Sequence, residues 1–480
     1  MRLPNKLRNH NESVGDKPFA CFLLQPRLEP RDPIMSQRLI ASLAAIFLAA
    51  AAEHSLAQEA VSTTSGSGAS SSTSAPSSAS APTTTESSGT TTTISGAASS
   101  TAAPPLQSAP SGSGVFSPTP IKAYIVLYGG YDDNINTFSS NKHGSAFTGG
   151  NAILDYTFGD PRLQIALNAG AGGSYYYEQV SGGQNYDIDL KGAFGITYKS
   201  SPRLTLGSTV LVEYLTEPGF DAPGGLNSRN GNYLYTTDKI FFAYRWVSRF
   251  STRTSYTFEA YNYDNSGVGA FSDRVSNTFG NEFLFQLVPT TSLVAEYRYE
   301  IVSYGTNSLD STTQFALGGI DHQFNPRLSA SVRGGAEFRS YDQGDDRTAP
   351  YLEGTVTYAV GKRTTVTWSS RYGIEEPDLA GSQSRTTFRT GLQTKFNLTS
   401  RISSSVDLYY VHDNYHSLSS AMPPTPGFSE DTFDGNLSAH YAITSLFGVS
   451  AGYHYTNISS DNAFREYSRN RVFAGVNLTF

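Results

Sequence analysis

Cysteine occurs once in the 480 residues, at Cys21. One thiol builds no disulfide framework and no thiolate metal cage. Charge is scarce too: 16% of residues are Asp, Glu, Lys or Arg, where a soluble domain carries about a quarter. The net charge of -7 is mild, and no basic run or zinc-ligand spacing occurs. Nucleic acid is therefore not expected as a partner, and no metal or cofactor is implied. Long apolar runs are missing after residue 57, so if the chain sits in a membrane, helices do not hold it there.

What is present at the front is not fold. Residues 35–57 read MSQRLIASLAAIFLAAAAEHSLA. Arg38 gives a short positive start, Leu39 to Ala52 an apolar run of about fourteen residues, and Ser55-Leu56-Ala57 a small-x-small cleavage pattern, together a signal peptide. A buried core helix is the plainer alternative, but a soluble helix rarely runs apolar on all faces beside a low-complexity tract. Residues 1–34 then read as an N-terminal extension ahead of the true start. Residues 58–114 are nearly all Ser, Thr, Ala, Gly and Pro. Such a segment buries too little apolar surface to offset its ordering entropy, so it is expected to be a disordered linker.

From Ile121 the character changes. Segments of about eleven to fifteen residues alternate apolar with polar. In Leu293 to Ile301, LVAEYRYEI, the odd positions are Leu, Ala, Tyr, Tyr and Ile, while Glu296, Arg298 and Glu300 stand between them. A strand turns alternate side chains to opposite faces, so one face is greasy and the other charged. Leu328 to Arg339, with Arg333, Glu337 and Arg339, behaves the same way. Connections alternate short and long. GDPR (159–162), SSPR (200–203), FNPR (324–327) and VGKR (360–363) are tight, while others run from about six to sixteen residues, with the Pro and Gly of turns. The count is about eighteen strands (16–18), from 121–131 through 350–359 to 468–480.

The greasy face meets lipid rather than a partner sheet, for three reasons. Soluble strands average about five or six residues, and these are twice as long, as a tilted membrane strand needs. Aromatics end the apolar face beside the short turns: Phe158, Tyr198, Trp246, Phe324, Tyr358 and Phe396, an interfacial girdle. Charges take the other parity wherever parity is clear, and a misplaced Arg or Lys facing mid-bilayer costs about 2–4 kcal/mol. A sheet in hydrocarbon cannot leave its edges unpaired. The fold expected is an all-β transmembrane antiparallel up-and-down β-barrel over 121–480, whose last strand pairs with its first. The ending RVFAGVNLTF, apolar at Val472, Ala474, Val476, Leu478 and Phe480, is then a stave that finishes at the membrane interface.

Gly475-x-x-Leu478-x-Phe480 resembles the C-terminal signal of bacterial outer-membrane barrels, read by the barrel-assembly machinery. The family pattern has a polar residue where this chain has Phe473. YGGYDDNINTF (128–138) resembles the start of the putative beta-barrel porin-2 group. The resemblance covers 121–480. It implies residence in the outer membrane of a Gram-negative-type cell, with no assigned activity. Some members accompany polysaccharide export loci.

A barrel of this size is wide enough for a water-filled lumen. The candidate lining residues are Glu296, Arg298, Glu300, Arg333, Glu337, Arg339, Lys239, Arg371 and Arg389. Either these charges simply solvate the lumen wall, or the Glu296–Arg339 set forms an ordered constriction. Either the pore is open, or the Ser/Thr-rich linker folds into it, or wall side chains fill it. Asp-Asn pairs at 133–134, 264–265, 413–414 and 461–462 read as turn closers rather than calcium ligands. His412 and His416 have HxxxH spacing, but a strand does not bring them together. His440 and His454 face inward without an assembled nucleophile, so no enzyme is expected. The expected function is passive diffusion of small hydrophilic solutes across the outer membrane. The alternative is an accessory barrel for surface or exopolysaccharide export.

Overall fold

The computed structural model describes residues 121–178, 185–216, 232–305, 309–361, 363–418 and 426–480. The expected extension, leader and linker (1–34, 35–57, 58–114) lie outside the described residues. Among those described, eighteen strands follow one another in chain order. They are β1 (Ile121–Asp132), β2 (Ser145–Gly159), β3 (Leu163–Tyr176), β4 (Tyr186–Lys199), β5 (Leu204–Thr216), β6 (Asn232–Val247), β7 (Phe250–Tyr263), β8 (Arg274–Val288), β9 (Thr291–Tyr304), β10 (Ser311–Asn325), β11 (Leu328–Tyr341), β12 (Arg347–Val360), β13 (Thr364–Glu375), β14 (Ser382–Asn397), β15 (Ile402–Ser417), β16 (Ser429–Ala442), β17 (Phe447–Ser460) and β18 (Tyr467–Thr479). One short helix, α1 (Ser266–Ser272), interrupts the β7–β8 connection.

Every strand pairs antiparallel with its chain neighbours, and β1 pairs with β18 from Tyr124↔Thr479 to Asp132↔Arg471. The sheet is a closed up-and-down barrel, so no edge is left with unpaired amides. The chain's last residue joins the ladder, with Phe480 N donating to Ala123 O at 2.8 Å. β12 begins earlier than its alternation suggests. Pro350 lies inside the strand, with Arg347, Thr348 and Ala349 already paired to β11.

The short turns share one chemistry. Asp160 Oδ1 accepts the amides of Arg162 and Leu163 at 2.6 and 2.8 Å. Ser201 does so for Arg203 and Leu204, Asn325 for Arg327 and Leu328, Thr399 for Arg401 and Ile402, and Thr444 for Leu446 and Phe447. A short side-chain oxygen capping two amides is why Asp, Ser, Asn and Thr occupy these places. Gly361, at φ 69, supplies the left-handed residue in the VGKR turn.

The outward rows are apolar and exposed, with Phe158, Trp246 and Phe324 between 54% and 60% accessible beside the short turns. Two carboxylates depart from the expected parity: Asp431 stands on the outward row at the start of β16, opposite His412, and Asp238 stands on the outward row of β6, level with Val210 and Phe258. The inward rows carry charge as the alternation implies, but also aromatic residues. Tyr128, Phe147, Tyr176 and Phe473 pack with Ile135 as a buried cluster beside the β1–β18 seam. Arg471 lies 4.3 Å over the Phe147 ring. Phe473 occupies the inward position where the resemblance leads one to expect a polar residue, and this cluster is what it packs into. Gly130 is required there, because a Cβ would come within 2.1 Å of Val472 O.

Candidate functional site

The inner wall of β9–β15 is dense in charge. Glu296, Arg298 and Glu300 alternate along β9, and Arg333, Glu337 and Arg339 along β11. Strand register then sets one residue against another across the wall. Arg333 on β11 is opposite Glu353 on β12, Glu353 is opposite Arg371 on β13, and Arg371 is opposite Arg389 on β14. Four consecutive strands thus place four charges at one level.

Side-chain contacts tie this wall together. Arg298 bonds Glu296 through Nε at 2.5 Å and Glu353 through Nη2 at 2.6 Å. Its other amino group donates to Tyr351 at 3.2 Å. Arg333 pairs with Asp321 at 2.7 Å and approaches Glu296 at 3.7 Å. Arg339 pairs with Glu376 at 2.6 Å and touches Glu300 at 4.0 Å. Ser276 donates to Glu300 at 2.8 Å. Glu337 accepts the amide of Ile374. Forked guanidinium–carboxylate contacts of this kind hold geometry as well as charge. Arg371 lies 5.6 Å from the Tyr351 ring, which Arg298 faces at the same distance. Gly319 and Gly335 keep the wall low between these groups. A Cβ on Gly319 would meet Arg333 at 2.5 Å, and one on Gly335 would meet the Ala316 carbonyl at 2.0 Å.

Of the nine residues expected at the lining, Glu296, Arg298 and Arg333 meet in one group and Glu300 with Arg339 in a second, Glu337 bonds the Ile374 amide beside them, and Arg371 and Arg389 share the level of Arg333 and Glu353. Lys239 stands apart on β6, with no ion pair among the described residues. A recess of ≈ 380 Å³ opens on the same wall among Ser331, Glu353, Thr355, Arg371, Arg389 and Tyr409.

A second network lies at the long-loop end. Arg385 reaches Asp413 at 3.3 Å, Glu375 at 3.5 Å and Asp378 at 3.8 Å. Arg465, from the β17–β18 loop, pairs with Asp378 and Glu430, both at 2.9 Å, and lies 5.0 Å over the Tyr415 ring. Tyr415 donates to Asp378 at 2.6 Å and stacks on Phe428 at 4.3 Å. Burial alone would raise the Asp378 carboxyl, but Arg465, Arg385 and the Tyr415 hydroxyl outweigh it and hold it below the usual range. Sequence alternation could not find Asp378 or Arg465, because both sit in loops whose position comes from the fold.

The histidines do not converge. His412 pairs with Asp431 at 2.8 Å, and His416 with Thr386 at 2.9 Å, both on the outward row of β15. His454 Nε2 and Asp434 Oδ2 are 2.7 Å apart, while His440 contacts Asn477. The Asp-Asn pairs divide. Asn265 caps α1, and Asp461 and Asn462 accept loop amides. Asp413 instead faces inward to Arg385 within β15.

The barrel is closed, its inner wall is polar and its outward rows are apolar, and the family Putative beta-barrel porin 2 matches residues 120–480. The chain belongs to that family. Family and fold together indicate an outer-membrane, porin-like barrel. Among solved structures, this porin-2 barrel is similar to OccAB4 of Acinetobacter baumannii, at 12% identity over 75% of this chain and 99% of that one, TM-score 0.38. It is similar to a BenF-like porin from Pseudomonas fluorescens Pf-5, at 11% identity over 75% and 98%, TM-score 0.40. It is also similar to the siderophore receptor PirA from Pseudomonas aeruginosa, at 7% identity over 75% and 80%, TM-score 0.35. No curated protein matches the sequence.

Proposed function

We propose that this barrel is a passive channel for small hydrophilic solutes across the outer membrane. The observation that carries the reading is the inner wall. Eighteen strands close around a surface of arginines and carboxylates that pair with one another, so the lining is polar while its charges largely cancel. Such a wall offers hydrogen bonds to a hydrated solute without a dominant sign of charge. The nine residues Glu296, Arg298, Glu300, Arg333, Glu337, Arg339, Lys239, Arg371 and Arg389 are proposed as its lining. Passage needs no catalytic step. The match to a porin family favours the channel over polysaccharide export.

Two features of the sequence fit the same route. Residues 35–57 are proposed as the leader that sends the chain through the inner membrane, ahead of a 58–114 linker. Gly475, Leu478 and Phe480 are proposed as the signal engaged by the barrel-assembly machinery. Planar-bilayer recording of the purified, folded protein tests the channel. Stepwise conductance is expected, and its absence from folded, monodisperse samples counts against the reading.

A further inference from the structure

The short turns carry a repeated cation. In six of the eight, an arginine stands immediately before the next strand: Arg162, Arg203, Arg249, Arg327, Arg363 and Arg401. All six are exposed. The backbone fixes where they stand. Each carbonyl accepts an amide from the end of the strand next door: Lys199 to Arg162, Arg245 to Arg203, Gln286 to Arg249, Ala359 to Arg327, Asn397 to Arg363 and Ala442 to Arg401, all at 2.7 or 2.8 Å. These bonds extend the ladder by one residue beyond each strand. The following residues, Leu163, Leu204, Phe250, Leu328, Thr364 and Ile402, belong to the outward rows. Alternation therefore puts the arginine stems on the inward side, around the mouth of the lumen. Lys122, Lys199 and Arg245 stand on the same inward row at the short-turn ends of β1, β4 and β6, also exposed.

These cations lack what several of the interior ones have. Arg298, Arg333, Arg339, Arg385, Arg465 and Arg469 each have a carboxylate within 4.0 Å. Among the described residues, none of the six turn arginines does, nor do Lys122, Lys199 and Arg245. The only acidic residue in the eight turns is Asp160, whose Oδ1 is already taken by two amides. The opposite rim is the reverse. Its described loops contain twelve carboxylates against Lys142 and Arg465. Turns two strands apart are separated by about 10 Å along the rim, close to the Debye length of about 8–10 Å at ordinary salt. The fields of neighbouring arginines therefore overlap and add.

We infer that the short-turn mouth is an anion collar that binds and concentrates small multivalent anions bearing phosphate or carboxylate groups on that side of the pore. The inference deepens the channel reading and rests on it for its role in passage. The collar itself is testable without conduction.

Two measurements on the full-length protein separate the possibilities. In the first, tripolyphosphate is titrated into folded protein in neutral detergent, with calorimetric readout. Binding is expected, weakening towards about 1 M salt, where the screening length falls to about 3 Å. Changing the six arginines to glutamine is expected to weaken it by about tenfold or more. Two half-sets, R162Q/R203Q/R249Q and R327Q/R363Q/R401Q, each give part of that loss and serve if the full set fails to fold. Unchanged affinity in the folded half-sets overturns the collar. The second is bilayer recording in a salt gradient. Anion preference is expected to be greater when the dilute side faces the short turns, and the glutamine set abolishes that difference. A barrel that conducts symmetrically overturns the collar. One that does not conduct, yet loses tripolyphosphate binding in the variants, keeps the collar and removes the channel. If the arginines matter only in vesicles containing phosphatidylglycerol, and free tripolyphosphate does not bind, the occupant is a lipid headgroup and the solute reading falls.

Discussion

Asp132 and Arg469, 337 residues apart in the chain, meet at 2.5 Å across the seam that closes the barrel. Arg469 reaches both carboxylate oxygens, and Asp132 also accepts the Asn134 amide at 3.0 Å. The two residues after Asp132 bind the same strand. Asp133 takes the backbone and side-chain nitrogens of Asn470 at 2.6 and 2.7 Å, and Asn134 donates to Ser468 O at 2.9 Å. No turn connects β1 to β18, so the ladder, these contacts and the buried Tyr128–Phe473 cluster make the closure. The stretch that carries the family resemblance is thus the clasp of the barrel.

Breaking a buried ion pair by removing one partner leaves the other charge uncompensated, at a cost of about 3–5 kcal/mol. Asp132→Ala is expected to lower the unfolding free energy of the barrel by that order, read as a lower urea midpoint. Replacing both Asp132 and Arg469 with apolar residues should recover part of the loss. The midpoint of each variant refolded into lipid vesicles decides it, and an unchanged midpoint in Asp132→Ala contradicts the seam's role.

At the opposite rim, Asp378 ties the β13–β14 loop to Arg465 of the β17–β18 loop. Its carboxyl is held below the usual value when folded. A group lowered in this way adds stability above its unfolded pKa of about 3.9 and loses it as pH falls through the folded value. The two loops should therefore stay closed together at neutral pH and part below about pH 4. Hydrogen-exchange protection at residues 376–381 and 461–466, taken relative to the intrinsic rate at each pH, should fall on acidification. Asp378→Asn should show low protection already at neutral pH, with no acid step of its own.

Much of this was legible in the sequence. The period-two alternation placed strands as far apart as 121–131 and 468–480, and β1 and β18 follow those bounds closely. A strand's face is set by parity alone, so Arg298, Glu353 and Arg371 could be assigned inward before any contact was known. Parity says nothing of partners. The bridge from Arg298 to Glu353 depends on three successive strand registers and on Gly335 lying low between them. Polarity also misleads as a guide to faces. Tyr128, Phe147 and Tyr176 are aromatic yet inward, because Arg471 and Ile135 pack with them there. The helix α1 has too short a sequence to show a helical period, and only the Asn265 cap marks its start.

Arg298 is the cation shared by Glu296 and Glu353. Arg298→Ala removes it and leaves Glu296 only the longer contact with Arg333. Lost hydrogen bonds to charged groups are worth about 1.5–3 kcal/mol, and a loss of that order is expected in unfolding titrations. The lumen also gains one net negative charge, so the reversal potential in a salt gradient should move towards cation preference. Arg298→Lys should keep the reversal potential near wild type while losing stability, since a single ammonium cannot reproduce the forked contact. A reversal potential that is the same in both variants places Arg298 away from the permeation path.

Asp238 is the outward carboxylate on β6, set among Val210, Ile240, Phe242 and Phe258, and one of its buried oxygens has no hydrogen-bond partner. Lipid-facing Asp costs less than the ~2–4 kcal/mol of Arg or Lys at the midplane, but the sign is the same. Asp238→Leu is therefore expected to stabilise the barrel by about 1–2 kcal/mol in vesicle urea titrations, while Asp238→Lys destabilises it. Neither change touches the inner wall, so conductance and ion preference should stay as in the wild type. If Asp238→Leu instead lowers stability, and does so only at protein densities high enough for chains to meet in the bilayer, the carboxylate faces another protein surface rather than lipid. A dilution series of the same variant separates the two, because a contact between chains weakens on dilution and exposure to lipid does not.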